Sequence, residues 1–124
     1  MAFFEKIWER LSSRLDNMSE DQCWRWQGAV HGKGGSLYGA MKIKHPVTGD
    51  SKVVDVHRIS YMVKVKIVDL PKDGREVSHL CGTSLCCNPA HLSFESHEMN
   101  NTRQRCHSEG VCFGHQGEPE CLFP

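Results

Sequence analysis

The chain has 124 residues, with 15 basic and 15 acidic side chains, eight histidines and seven cysteines. That length suits a single domain large enough for a core but small enough to gain from staples. No apolar run approaches the roughly 20 residues a membrane span needs, and MAFFEKIWERL lacks the basic start, continuous apolar core and cleavage site of a secretory signal. The expectation is an intracellular protein, cytoplasmic or nuclear and not secreted, with no membrane partner. In such a compartment cysteines bind metal more readily than they form disulfides.

In chain order, Phe3, Phe4, Ile7, Trp8, Leu11 and Leu15 fall at three- and four-residue spacings, which predicts an amphipathic helix over about 3–16. CWRWQGAV alternates large apolar and polar residues as a half-buried strand does, and the glycine-rich HGKGGS reads as a loop. LYGAMKIK and SKVVDV flank HPVTGD and predict a hairpin that sets Lys42, Lys44 and Lys52 near one another. HRISYMVKVKI, from 57 to 67, fits helix or strand. After LPKDG come a short strand REVSHL, a cysteine-rich loop, a second short strand HLSFES, and a polar helix HEMNNTRQR with Ser96 at its N-cap.

The zero net charge is unevenly spread. Segment 42–66 holds six basic residues against Asp50 and Asp55, a net +4, whereas 106–124 holds three glutamates and no Lys or Arg. A neutral total can therefore conceal a basic face.

Structural zinc takes four thiolate or imidazole ligands in a closed tetrahedron. CHSEGVCFGHQGEPEC supplies Cys106, Cys112, His115 and Cys121 in a segment with few apolar residues, so metal binding would provide most of its folding energy. Upstream, SHLCGTSLCCNPAHL offers more candidate ligands than one ion uses. Cys81, Cys86 and His91, joined by the distant Cys23, make a second Cys₃His set; Cys87 is left over, and adjacent Cys86 and Cys87 could exchange roles. His79 is then free at a strand end, with the chemistry of a general base near neutral pH. Asn100 and Asn101, on the polar helix, offer oxygen ligands of the kind Mg²⁺ accepts alongside its waters.

The run SHLCGTSLCCNPAHLSFESHEMNNTRQRC, with the C-x₅-C-x₂-H-x₅-C segment after it, resembles the His-Cys box homing endonucleases, a branch of the His-Me finger (ββα-metal, HNH-like) nucleases. CWRWQG, YG and VHRISY resemble the regions that precede the HNH motif in that superfamily. The resemblance spans roughly 23–121 and favours Cys86 over Cys87. It implies His79 as general base, Asn100 as the ligand of one Mg²⁺ (or Mn²⁺ or Ca²⁺), and two structural Zn²⁺, one on Cys23, Cys81, Cys86 and His91 and one on Cys106, Cys112, His115 and Cys121. Many HNH relatives carry an Asp before the base; this chain has Ser78. The family's transition-state arginine has no single counterpart, with Lys44, Lys52 and Arg58 as candidates.

The implied fold is α+β: a small antiparallel sheet and a ββα-metal motif stapled by two zinc sites, behind an N-terminal helix. It is expected as one domain over 1–124, with the N-terminal helix at 1–20, sheet and DNA-binding region at 23–75, ββα-metal motif at 76–105 and second zinc loop at 106–124. The implied activity is Mg²⁺-dependent endonuclease, leaving 5′-phosphate and 3′-hydroxyl ends on DNA, expected double-stranded, with contacts from Lys42, Lys44, Lys52, Arg58 and Arg103. Only three residues follow Cys121, so both a homodimer and a monomer remain open, as does a catalytically inactive zinc-stapled nucleic-acid-binding module.

Overall fold

The computed structural model describes residues 2–32 and 37–123; residues 33–36 of the HGKGGS loop lie outside them. The architecture is α+β. Helix α1 (Phe3–Ser12) leads to a three-stranded antiparallel sheet of β1 (Val30–His31), β2 (Tyr38–Lys44) and β3 (Ser51–Asp55) in that order. Helix α2 (Val56–Val65) follows, then β4 (Arg75–His79), a 3₁₀ turn (Pro89–His91), β5 (Leu92–Ser96) and helix α3 (His97–Glu109). Strands β4 and β5 form a separate two-stranded antiparallel sheet, and with α3 they make the ββα unit.

Segment 57–67 is helical through Val65 because Val56, Ile59, Ser60 and Met62 are buried at helical spacing against the core, and Lys66, at φ 60°, ends it. That core joins Ile7 and Leu11 of α1 to Trp26, Met41, Ile43, Leu70, Val77 and Leu92. Gly39 lets the hairpin approach it: a Cβ there would stand 2.4 Å from Val56 and 2.5 Å from Trp26. Helix α1 ends at Ser12, four residues earlier than its stripe predicts. The hydroxyls of Ser12 and Ser13 donate back to the carbonyls of Glu9 and Arg10 there, and Leu15 pairs with Trp26 as an isolated bridge.

CWRWQGAV does not form the expected strand. Its backbone bonds alternate between two neighbours: Gln27 donates to Arg14 and Asp16 donates to Arg25 on one side, while Trp26 donates to Leu85 and Cys87 to Trp24 on the other. That alternation is what a strand between two neighbours shows, but here it extends only to the isolated bridges Leu15–Trp26 and Arg25–Cys86, too short for a continuous ladder. The same bonds carry Cys23 to the cysteine loop, helped by Asn88, whose buried Nδ2 donates to the Gln22 carbonyl at 2.7 Å. Ser96 caps α3 by accepting from Met99 N at 3.1 Å, and Gly110, at φ 76°, ends the helix.

Candidate metal centres and cleft

Cys23, Cys81, Cys86 and His91 converge, with their four ligand atoms within 4.8 Å of one another. His91 Nδ1 lies 3.6 Å from Cys23 Sγ and 3.5 Å from Cys86 Sγ. A tetrahedron with Zn–S about 2.3 Å and Zn–N about 2.0 Å has N···S edges of roughly 3.5 Å. The thiols compete for protons in this packing: a hydrogen bond from Cys86 holds Cys81 down to about 4, while Cys86 itself is pushed up by the same partner and by burial. A cation that replaces those protons resolves the conflict. Cys87 stands apart, fully buried in the apolar core, where desolvation pushes its thiol up to about 12.

The second set, Cys106, Cys112, His115 and Cys121, also falls within 4.8 Å. His115 Nε2 is 3.7 Å from Cys106 Sγ and 3.2 Å from Cys121 Sγ. Backbone N–H groups of Phe113 and Cys121 donate to the sulfurs of Cys106 and Cys112, each at 3.4 Å, the kind of outer hydrogen bond that orients thiolate ligands. His107, next to Cys106, takes no part; its Nε2 donates to the Leu80 carbonyl at 2.8 Å, tying α3 to the end of β4. Both clusters thus fit structural zinc, and each supplies a full set of four protein ligands.

A cleft of about 660 Å³ has a lining that includes His79, Asn100, Arg58, Glu76, His57 and Tyr38. His79 ends β4, and its Nε2 donates to the Cys86 carbonyl at 3.1 Å. A carbonyl can only accept, so the proton of the neutral ring sits on Nε2 and Nδ1 carries the lone pair. The ring is packed 4.4 Å from His57 and stacks on Tyr38. Burial pushes its pKa below the usual imidazole value, against an opposing pull from Cys81. Asn100 lies on α3, and its Nδ2 donates to Glu76 Oε1 at 2.6 Å. That bond spends the nitrogen end of the amide and leaves Oδ1 as its ligand end, an oxygen donor suited to hydrated Mg²⁺. Asn101, the other asparagine of the sequence reading, is exposed and does not line this cleft.

The basic residues expected to meet DNA are dispersed. Lys42 and Lys44 are exposed on β2 and share one face of the hairpin. Lys52 pairs with Ile43 and so falls on the opposite face, where it shares a groove with Arg58. Arg58 also lines the main cleft; Lys44 and Lys52 do not. Arg103 must be corrected as a DNA contact. It is 1% exposed, its guanidinium forms two hydrogen bonds with the equally buried Glu95, and its Nη1 donates to Cys121 Sγ at 3.6 Å. A cation committed in this way has no face left for phosphate.

Sequence reasoning passed over Glu76, His57 and Tyr38. Tyr38 and His57 stood inside YG and VHRISY, the pieces carrying the upstream resemblance. Glu76 had no local signal beyond its place three residues before His79.

A family model described as the zinc-binding loop region of homing endonuclease matches residues 22–120. Protein 2.8 of Escherichia phage T7 is 38% identical over 102 residues, covering 82% of this chain and 59% of that protein. The chain thus spans about three fifths of that relative's length. No solved structure matches it.

Proposed function

The chain belongs to the family of the zinc-binding loop region of homing endonucleases, and from that premise we propose that it is a metal-dependent endonuclease that hydrolyses DNA phosphodiester bonds. The observation that carries the reading is the bond from His79 Nε2 to the Cys86 carbonyl, which leaves the ring's basic nitrogen unspent beside a cleft that Asn100 also lines. His79 Nδ1 takes a proton from the attacking water, and the ring's second nitrogen keeps its proton on the carbonyl throughout. Tyr38 and His57 hold the ring plane. A hydrated Mg²⁺, or Mn²⁺ or Ca²⁺, held through Asn100 Oδ1 would supply positive charge against the leaving 3′-oxygen.

Arg58 is the candidate for the family's transition-state arginine, because of the three cations considered it alone lines the cleft. The products are a 5′-phosphate and a 3′-hydroxyl. Lys42 and Lys44, exposed together on one face of β2, suit contacts to the backbone of duplex DNA, which confer affinity with little sequence choice. Zinc in the two cysteine clusters is structural in this reading: one site positions the carbonyl that holds His79, the other anchors the end of α3.

The test is cleavage of supercoiled plasmid in Mg²⁺ by the parent, His79→Ala and Asn100→Ala. Removing a general base typically costs 10²- to 10⁴-fold, and both variants should retain two zinc ions per chain. Cleavage by His79→Ala at the parent rate overturns the assignment of the base.

A further inference from the structure

The β4–β5 register sets Glu76 directly opposite Glu95. Like charges facing one another across an antiparallel pair repel, so each carboxylate needs its own compensation. Glu95 has it, in the buried guanidinium of Arg103. Glu76 does not. Its Oε1 accepts from Asn100 Nδ2 at 2.6 Å and from His97 Nδ1 at 3.0 Å, and among the described residues no Lys or Arg pairs with it. Arg103 borders the same cleft, but it is spent on Glu95. The cleft wall thus carries Glu76 as a carboxylate that the protein's own fixed cations leave uncompensated, along with Asp55, whose partner is His31.

The same carboxylate decides which way Asn100 faces. A carboxylate accepts hydrogen bonds and cannot donate them, and the amide oxygen would be repelled by it. Glu76 therefore draws the NH₂ group to itself and turns Oδ1 the other way. The amide is held by a charge-assisted bond, the shorter and stronger kind.

We infer that Glu76 is a positioning residue for divalent-cation binding: it orients Asn100 so that Oδ1 is presented, and its unpaired charge raises the cleft's affinity for a dication. This rests on Asn100 being the cation's ligand, as proposed above. Outer groups that orient a metal ligand typically change affinity 10- to 100-fold.

The zinc-loaded full chain is titrated with Mn²⁺ and free ion is read by electron paramagnetic resonance, for the parent, Glu76→Gln, Glu76→Ala and Asn100→Ala. Glu76→Gln removes the charge and retains an acceptor oxygen; Glu76→Ala removes both. The expected result is loss of Mn²⁺ binding in Asn100→Ala, roughly 10-fold weaker binding in Glu76→Gln and weaker still in Glu76→Ala. In plasmid cleavage, Glu76→Gln should need roughly 10-fold more Mg²⁺ for half-maximal rate while approaching the parent rate at saturation. Because Glu76→Gln also relieves the repulsion with Glu95, its Tm without Mn²⁺ should equal or exceed the parent's, and a Tm rise on adding Mn²⁺ should be smaller than the parent's. Parent-like Mn²⁺ affinity in both Glu76 variants, with binding lost in Asn100→Ala, overturns the role of Glu76 and leaves the nuclease reading standing. Unchanged affinity in Asn100→Ala overturns the reading itself, and with it this inference.

Discussion

His79 donates its Nε2 hydrogen to the carbonyl oxygen of Cys86, 3.1 Å away, so the backbone of one residue in the first cysteine cluster holds the candidate base of the neighbouring cleft. The two residues are seven apart in sequence, and the loop between them carries Cys81, a second member of that cluster. Folding of the metal loop and orientation of the base are therefore one event.

The first prediction separates Cys86 from Cys87. Cys86 Sγ lies 3.5 Å from His91 Nδ1, whereas Cys87 is buried among apolar side chains and bonds no ligand. Cys86→Ala should therefore purify with about one zinc per chain in place of about two, whereas Cys87→Ala should retain both. Elemental analysis by mass spectrometry reads the difference. Zinc loss in Cys87→Ala with retention in Cys86→Ala would reverse the assignment.

Arg103 should behave as a structural cation. Removing one partner of a buried pair strands the other charge and costs about 3–5 kcal/mol, so Arg103→Met should fall by about that amount in denaturant unfolding. Adding Glu95→Leu should return much of the loss, because an apolar pair replaces an ionic one. Cysteine accessibility at Cys121, which Arg103 touches, should rise in the single variant. If Arg103→Met keeps parental stability and loses DNA affinity alone, the residue is a phosphate contact after all.

His57 makes stability depend on pH. It is 7% exposed, its Nδ1 has no hydrogen-bond partner, and burial, followed by the neighbouring charge of His79, lowers its pKa from 6.5 to about 3. The folded chain keeps this ring neutral where the unfolded chain protonates it, so stability is lost as pH falls from about 6.5 toward 3. Below pH 6 the contribution approaches about 1.4 kcal/mol per pH unit. Urea unfolding of the zinc-loaded protein between pH 7.5 and 5.5 should show a shallower decline for His57→Leu than for the parent. Acid release of zinc affects both alike, and parallel declines would mean that His57 is charged in the folded chain.

Lys42 and Lys44 should reveal themselves through salt. Each phosphate contact removed should reduce the slope of log affinity against log salt by about 0.9. A fluorescence-anisotropy salt series on duplex DNA should show about that change for each alanine variant and none for Arg103→Met. A slope unchanged in Lys42→Ala and Lys44→Ala would clear that face of DNA.

The features legible in the sequence are those governed by short-range covalent spacing. Cys106, Cys112, His115 and Cys121 lie within sixteen residues, and a loop that short brings its ligands together wherever the rest of the chain goes. Ser96 is read as an N-cap from its own residue type and the polar helix after it, and the hairpin from the turn residues between two β-rich runs. Cys23 was legible only by elimination, since its approach depends on hydrogen bonds around Asn88 from residues more than sixty positions away.

Register and packing decided the rest. A one-residue alternation sends Lys52 to the face opposite Lys42 and Lys44, and no composition reading carries that information. Segment 57–67 chose helix because the core accepts one stripe of it, and Arg103 turned inward because strand pairing places Glu95 beneath α3. The opposition of Glu76 and Glu95, and the packing of His57 against His79, arise between elements brought together only by the fold. Spacing along the chain sets which groups are available to bind metal; long-range burial and strand register set which charges are neutralised, and so which remain to act in the cleft.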